Sequence, residues 1–262
     1  MKKHIKLFTV VFVLFNVGWM CCADDNPFLN QTTTVLQANN PNITKDDVKN
    51  LLLKKVDPYL KRIVAEYHPK FPFIWKLAAA DWMAAQDGPD DKSVCIPVSA
   101  IIEIQKGDKL SDSSLGILMH ELTHVIKEHS QRKKDFRKQY SSKLSQKKFH
   151  EELSKLSRKC EWEADEGVPN DKFLLRGMKT YFERKKKFAE FSKNINSGST
   201  TKTPYQSHPS HEERANRFAQ RLSKLTVNEH LHKPHIRKLF GPDLPVPLDR
   251  LRPREMAQEL EP

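Results

Sequence analysis

The pentapeptide His120-Glu121-Leu122-Thr123-His124 sits inside a stretch whose apolar residues recur every three or four positions. Leu115, Leu118, Met119, Leu122, Val125 and Ile126 fall on one face of a helix. Ser111, Asp112 and Ser113 precede it and suit an N-cap. The pattern predicts a helix over 113–130. Two histidines four apart on a helix share a face, with Cβ atoms about 5–6 Å apart. That spacing lets two imidazoles reach one zinc ion, each about 2.0–2.1 Å from the metal. A glutamate beside the first histidine can then serve as general base toward a metal-bound water. A bare His-Glu-x-x-His also occurs in helices that bind nothing, so a third ligand decides the matter.

His129 is nearest in sequence. On a continuous helix it lies five residues past His124 and points to another side, so it is expected at the surface or behind the ligands. A metzincin spacing would need a histidine at position 130, which is Ser130. The better segment is Cys160-Glu161-Trp162-Glu163-Ala164-Asp165. Glu161 and Asp165 share one helical face, and Glu163 points the opposite way, so its replacement is expected to be nearly silent. A carboxylate ligand with a second carboxylate one turn on suits a metal site, the second orienting a ligand histidine. An ordinary acidic helix surface carries the same pattern.

His-Glu-Leu-Thr-His followed by Glu-Trp-Glu-Ala-Asp resembles the zinc peptidases typified by the CAAX prenyl protease and HtpX, a gluzincin family whose soluble, exported BepA-like members are the nearest comparison. The resemblance spans residues 70–220. It implies that Glu161 is the third ligand beside His120 and His124, and that Asp165 supports a ligand histidine. Ser207-His208-Pro209-Ser210-His211-Glu212-Glu213-Arg214 is similar to the family's His-Pro-x-x-x-Glu-Arg stretch, which places His208 and Arg214 near the metal. A proline-punctuated loop before a capped helix would read the same way.

Val94–Ile104 is rich in β-formers and contains Pro97, so it reads as an edge strand. By the resemblance, Cys95, Ile96, Pro97 and Val98 would hold an extended substrate by strand addition. The family often has Pro-Gly-Gly where this chain has Pro97-Val98-Ser99.

The first 22 residues carry three lysines and no acid ahead of an apolar run, Leu7 to Met20. That run suits a signal-peptide core better than a membrane span. Cys21 and Cys22 follow, so simple cleavage, a lipid anchor and a retained anchor all stay open. The chain is expected to be exported: periplasmic or membrane-anchored in a bacterium, secreted otherwise. Beyond the signal only Cys95 and Cys160 remain, as a disulfide or as two buried thiols. The net charge of +12 is concentrated in the lysine- and arginine-rich stretch 131–159. A solvated helical face is the plainest meaning, and the absence of a nucleic-acid-binding motif in an exported chain argues against nucleic acid.

Residues 23–45 read as a polar linker, 46–226 as one peptidase domain, and 227–262 as a tail rich in proline and histidine. Asp46–Tyr67 predicts a helix that Pro58 kinks or restarts, and Trp75 and Trp82 are expected in the core. The expected fold is α+β and mainly helical: a zincin-like domain with a small mixed or antiparallel sheet and the His-Glu-x-x-His helix at its centre. The expected function is a zinc endopeptidase with one zinc per chain and Glu121 as base; the resemblance implies unfolded or misassembled proteins as substrates and His208 as a group that stabilises the oxyanion. Two alternatives stay open: a non-catalytic, chaperone-like binding protein that keeps the fold, and a zinc hydrolase of another substrate.

Overall fold

The computed structural model describes residues 27–78, 82–88, 91–195 and 208–228. The signal segment and nearly all of the tail lie outside them. The described chain is mainly helical with one small mixed sheet. Among the described residues no helix is long and apolar enough to cross a membrane.

Helix α1 (Pro27–Asn39) occupies the segment expected to be a linker. Leu29, Thr32, Thr33 and Leu36 are buried at helical spacing. The two threonines go inside because their hydroxyls donate to carbonyls one turn back, Thr32 to Phe28 at 2.7 Å and Thr33 to Leu29 at 2.8 Å. Helix α2 (Lys45–Leu51) opens with a capping box, Thr44 and Asp47 bonding reciprocally. A π-helical turn, Leu52–Val56, joins it to α3 (Asp57–Tyr67). Pro58 has no N–H to give, and its ring crowds the preceding turn. The widened turn absorbs the proline without breaking the helix.

Three strands follow: β1 (Ile74–Ala78), β2 (Ala84–Gly88) and β3 (Asp91–Pro97). The order is β1-β3-β2, with β3 parallel to β1 and antiparallel to β2. This corrects the edge-strand expectation for Val94–Ile104. The strand ends at Pro97, and Val98 begins helix α4 (Val98–Gly107). Val94, Cys95 and Ile96 are all buried, so both faces of β3 are covered, as suits a central strand. Cys95 is paired on both sides, with Lys76 of β1 and Ala84 of β2, so it has no free ladder to offer an added chain, while Ile96 and Pro97 pair with β1 alone. The proline is tolerated because it closes the strand and starts the helix. Trp75 is in the core, 2% exposed, and its indole donates to Asp57 at 2.9 Å. Trp82 is 63% exposed, against expectation.

Helix α5 (Asp112–Ile126) carries the histidine motif. Ser111 caps it, accepting from the Ser114 N–H at 3.2 Å. Leu115, Leu118, Met119, Leu122 and Val125 are buried, and Ile126, at the helix end, is partly exposed. Burial of each such side chain is worth about 1.5–3 kcal/mol, so α5 is anchored along its whole length. It packs on α7 (Gln146–Gly167), α8 (Lys172–Ile195), β2 and β3. Helix α6 (His129–Tyr140) and α7 form a basic hairpin in which Phe136 stacks on Phe149. The last described helix is α9 (His211–Asn228). The helix predicted over 113–130 is thus two helices. Lys127 and Glu128 separate them, and Glu128 has left-handed backbone at φ 52°.

Candidate metal centre

Helix α5 presents His120 and His124 on its buried side, one turn apart, with Nε2 atoms 3.1 Å from each other. Helix α7 crosses α5 so closely that a Cβ on Gly167 would lie 2.0 Å from Thr123 Oγ1. That approach brings Glu161 to the two imidazoles: Oε2 is 3.5 Å from His120 Nε2, and Oε1 is 3.6 Å from His124 Nε2. One donor atom from each of the three lies within 4.8 Å of the others, and all three residues are buried. A tetrahedral ion held 2.0–2.1 Å from its ligands sets them about 3.3–3.4 Å apart. The His120, His124, Glu161 group fits such an ion and could hold a metal.

The outer nitrogen of each histidine is also occupied. His120 Nδ1 is 2.9 Å from Asp165 Oδ1. His124 Nδ1 is 2.7 Å from His129 Nδ1. His129 is fully buried, so of the two positions expected for it, the one behind the ligands is where it lies. Its Nε2 is 3.1 Å from Glu163 Oε2, and Arg132 donates to the same carboxylate at 2.6 Å. Glu163 does point away from Glu161, but into a second network that touches His124 through His129.

Helix α9 closes the other side. Arg214 is buried and grips Asp165 with two donors, at 2.9 Å from Nε and 2.5 Å from Nη2. Its Nη1 reaches Glu161 Oε2 at 3.3 Å, and its Nη2 is 3.3 Å from both ring nitrogens of His120. The guanidinium rests on the Phe182 ring, 4.0 Å from its centroid. Arg217 pairs with Glu166, and Arg221 donates to the carbonyls of Asp165 and Val168 at the end of α7. Positions 214, 217 and 221 recur as one helical stripe, so α9 is fastened to α7 along its length. His208 lies just before α9 at the solvent side, 64% exposed, with Nε2 3.4 Å from Glu161 Oε1. The carbonyl of His208 accepts from Arg158 at 3.4 Å.

Glu121 faces the sheet rather than the ligand cluster's far wall. Its Oε2 accepts the Ala85 N–H of β2 at 2.8 Å. Burial raises the Glu121 carboxyl above the usual carboxylate range, opposed by the charge of His120. Burial works against a charge on His120, yet the hydrogen bonds it donates to Asp165 and Glu161 outweigh that and lift the imidazole to about 9. His124 is pushed down, to about 3, by burial and then by the charge on His120. Burial would raise Glu161, but the hydrogen bond and charge of His120 hold it low, at about 2. Hydrogen bonding from Arg132 holds Glu163 low, also at about 2.

His120, His124, Glu161, Asp165 and Arg214 therefore meet in one buried cluster, with His208 at its mouth and Glu121 beside it. Cys95 is paired on both sides and Val98 begins α4, so Cys95, Ile96, Pro97 and Val98 do not form one continuous free edge, and the strand next to the motif helix with one neighbour among the described strands is β2. Cys95 and Cys160 are both buried, and neither is in a disulfide among the described residues. His129, Glu163, Arg132, Phe182 and Arg221 were not predicted as parts of the site. Compared with protein-family models, curated proteins and solved structures, the chain matches none.

Proposed function

We propose that the protein is a zinc-dependent endopeptidase with a zincin-like fold, of the kind its His-Glu-Leu-Thr-His and Glu-Trp-Glu-Ala-Asp segments resemble. The observation that carries this reading is the convergence of His120, His124 and Glu161 beside a motif glutamate that takes no part in the ligand cluster. Zinc, the ion that a two-histidine, one-carboxylate set best suits, would supply Lewis acidity toward water and the peptide carbonyl.

The chain's own residues divide the remaining work. His120, His124 and Glu161 hold the ion. Asp165, neutralised by Arg214, keeps the His120 Nδ1 proton in place and so directs Nε2 inward. Glu121 takes the proton of the attacking water and returns it to the leaving amine. Its raised pKa suits both halves of that transfer. His208, at the exposed rim, is placed to donate to the oxyanion. An extended polypeptide lying along the outer edge of β2 would run past Glu121, since the Ala85 N–H already points there. An accommodating backbone edge fits unfolded or misassembled proteins as substrates, and the signal-like N-terminus fits an exported enzyme.

A digest of an unfolded protein such as reduced casein tests the reading. The wild type should cleave it, a chelator should stop cleavage, and added zinc should restore it. Glu121→Gln should keep zinc and lose cleavage. A Glu121→Gln protein that cleaves as fast as the wild type would remove Glu121 as base, and a wild type that binds zinc without cleaving would leave a binding protein.

A further inference from the structure

Each imidazole of the cluster has a different partner behind it. His120 is backed by a carboxylate, Asp165, which is itself held by an arginine, Arg214. His124 is backed by a third histidine, His129, whose far nitrogen meets Glu163, which is held by Arg132. For a neutral His129 the hydrogen-bond directions in this second chain follow from the partners. The Glu163 carboxylate, paired with Arg132 at 2.6 and 3.4 Å, can only accept. His129 must then carry its proton on Nε2 to reach Glu163 at 3.1 Å. A neutral imidazole protonated on Nε2 offers a lone pair on Nδ1. The atom 2.7 Å from that lone pair is His124 Nδ1, which must therefore be the donor. With its proton on Nδ1, His124 has its free lone pair on Nε2, the atom that faces His120 and Glu161.

We propose that His129, oriented by Glu163 and Arg132, is a positioning residue that fixes His124 in the tautomer presenting Nε2 to the metal. The inference rests on reading His120, His124 and Glu161 as a zinc site. Two further observations bear on it. His129 is fully buried with both ring nitrogens engaged, which mere space-filling would not require. The backbone also bends to put it there. Glu128 sits at φ 52°, ψ 43°, a left-handed conformation that is unfavourable for a non-glycine residue. That turn ends α5 at Ile126 and swings His129 back against the ring it would otherwise have left behind on the helix. The site thus has two arms of unequal length, His120 to Asp165 to Arg214 and His124 to His129 to Glu163 to Arg132, and the neutral histidine in one arm stands where the other has an aspartate.

The test compares wild type with His129→Leu, which fills the space without an acceptor, and His129→Asn, whose Oδ1 can replace Nδ1. Zinc affinity is read by competition with a chromophoric chelator, and folding by circular dichroism. Wild type should bind one zinc. His129→Leu should bind it about 10–100-fold more weakly, and His129→Asn should recover most of that loss. Equal affinity of His129→Leu and wild type, or no recovery in His129→Asn, would overturn the proposal while leaving the zinc site standing. A folded wild type that binds no zinc would instead overturn the metal reading, and this inference with it. Long-range proton–nitrogen correlation spectra of the zinc-loaded wild type decide the point independently, even if His129→Leu does not fold. They should show His124 and His120 protonated on Nδ1 and His129 on Nε2. A proton on His129 Nδ1 would refute the assignment.

Discussion

Glu161 and Glu163 stand two residues apart on one helix and serve different neighbours: Glu161 lies 3.5 Å from His120 and 3.6 Å from His124, while Glu163 lies 3.1 Å from His129. Their chemistry is identical and their surroundings are not. Glu161 is buried among imidazoles and Arg214, whereas Glu163 is closer to solvent and tied to Arg132.

The first prediction separates the two. Glu161→Gln removes the anionic ligand and should lose most bound zinc. Glu163→Gln keeps an acceptor facing His129 and should retain most of it. Elemental analysis after dialysis against a weak chelator reads both. Zinc retained by Glu161→Gln and lost by Glu163→Gln would reverse the assignment.

Glu121→Gln keeps the size and shape of the side chain but cannot take a proton. Cleavage should fall by about 10²–10⁴-fold, the usual worth of a general base. Zinc content should stay at one per chain. Single-turnover cleavage of a quenched peptide, with metal content measured on the same sample, checks both halves.

Zinc uptake should be pH-dependent, with a sign that follows from His120. Its pKa is raised to about 9, so at neutral pH the metal-free protein carries a proton there that a metal must displace. Affinity should rise about tenfold per pH unit through neutrality and level off as the pH passes about 9. Calorimetry at pH 7 in buffers of different ionisation enthalpy should report about one proton released per zinc. A binding enthalpy that ignores the buffer would refute this.

Asp165 is 1% exposed and carries a charge that Arg214 balances. Arg214→Met would leave that carboxylate buried without its partner, which typically costs about 3–5 kcal/mol. Arg214→Lys should recover part of the loss, since a lysine cannot reproduce the two-donor grip. Urea unfolding monitored by fluorescence should rank wild type above Arg214→Lys and Arg214→Met lowest. Equal midpoints would mean that Asp165 is not charged in the folded protein.

The contact between α5 and α7 has no slack at Gly167. Gly167→Ala puts a methyl group where Thr123 already stands, 2.0 Å from its hydroxyl oxygen. Overpacking of this kind typically costs about 1–3 kcal/mol. The helices must part, so zinc affinity should fall together with the thermal midpoint. A variant with wild-type stability and wild-type affinity would show that the two helices can slide without disturbing the site.

What could be read from the sequence depended on how far one helix ran unbroken. His120 and His124, and Glu161 and Asp165, are pairs inside continuous helices, so the 3.6-residue period placed each pair on one face without further information. His129 could not be placed that way. The helical wheel holds only while the helix does, and α5 ends three residues earlier at a left-handed turn that no glycine or asparagine announces. The contact between Glu163 and His129 was hidden for the same reason. The run Val94–Ile104 hid a change of structure because its residues are apolar in both the strand and the helix. Only the spacing of Ala100, Ile101 and Ile104, all buried, betrays the helix after Pro97. Helix α1 was obscured by its threonines, which count as polar in composition but bury their hydroxyls on their own backbone.

The comb of arginines on α9 has a consequence for how activity arises during folding. Arg214 meets His120 across 94 residues of chain, and Arg221 fastens the end of α7 from still later in the sequence. A polypeptide in which α5 and α7 had met before α9 would confront Asp165 and Glu161 without the arginine that spans them. The centre would then be electrostatically open, its carboxylates repelling each other. On the proposed peptidase reading, peptide-cutting capacity would switch on as the last described helix docks.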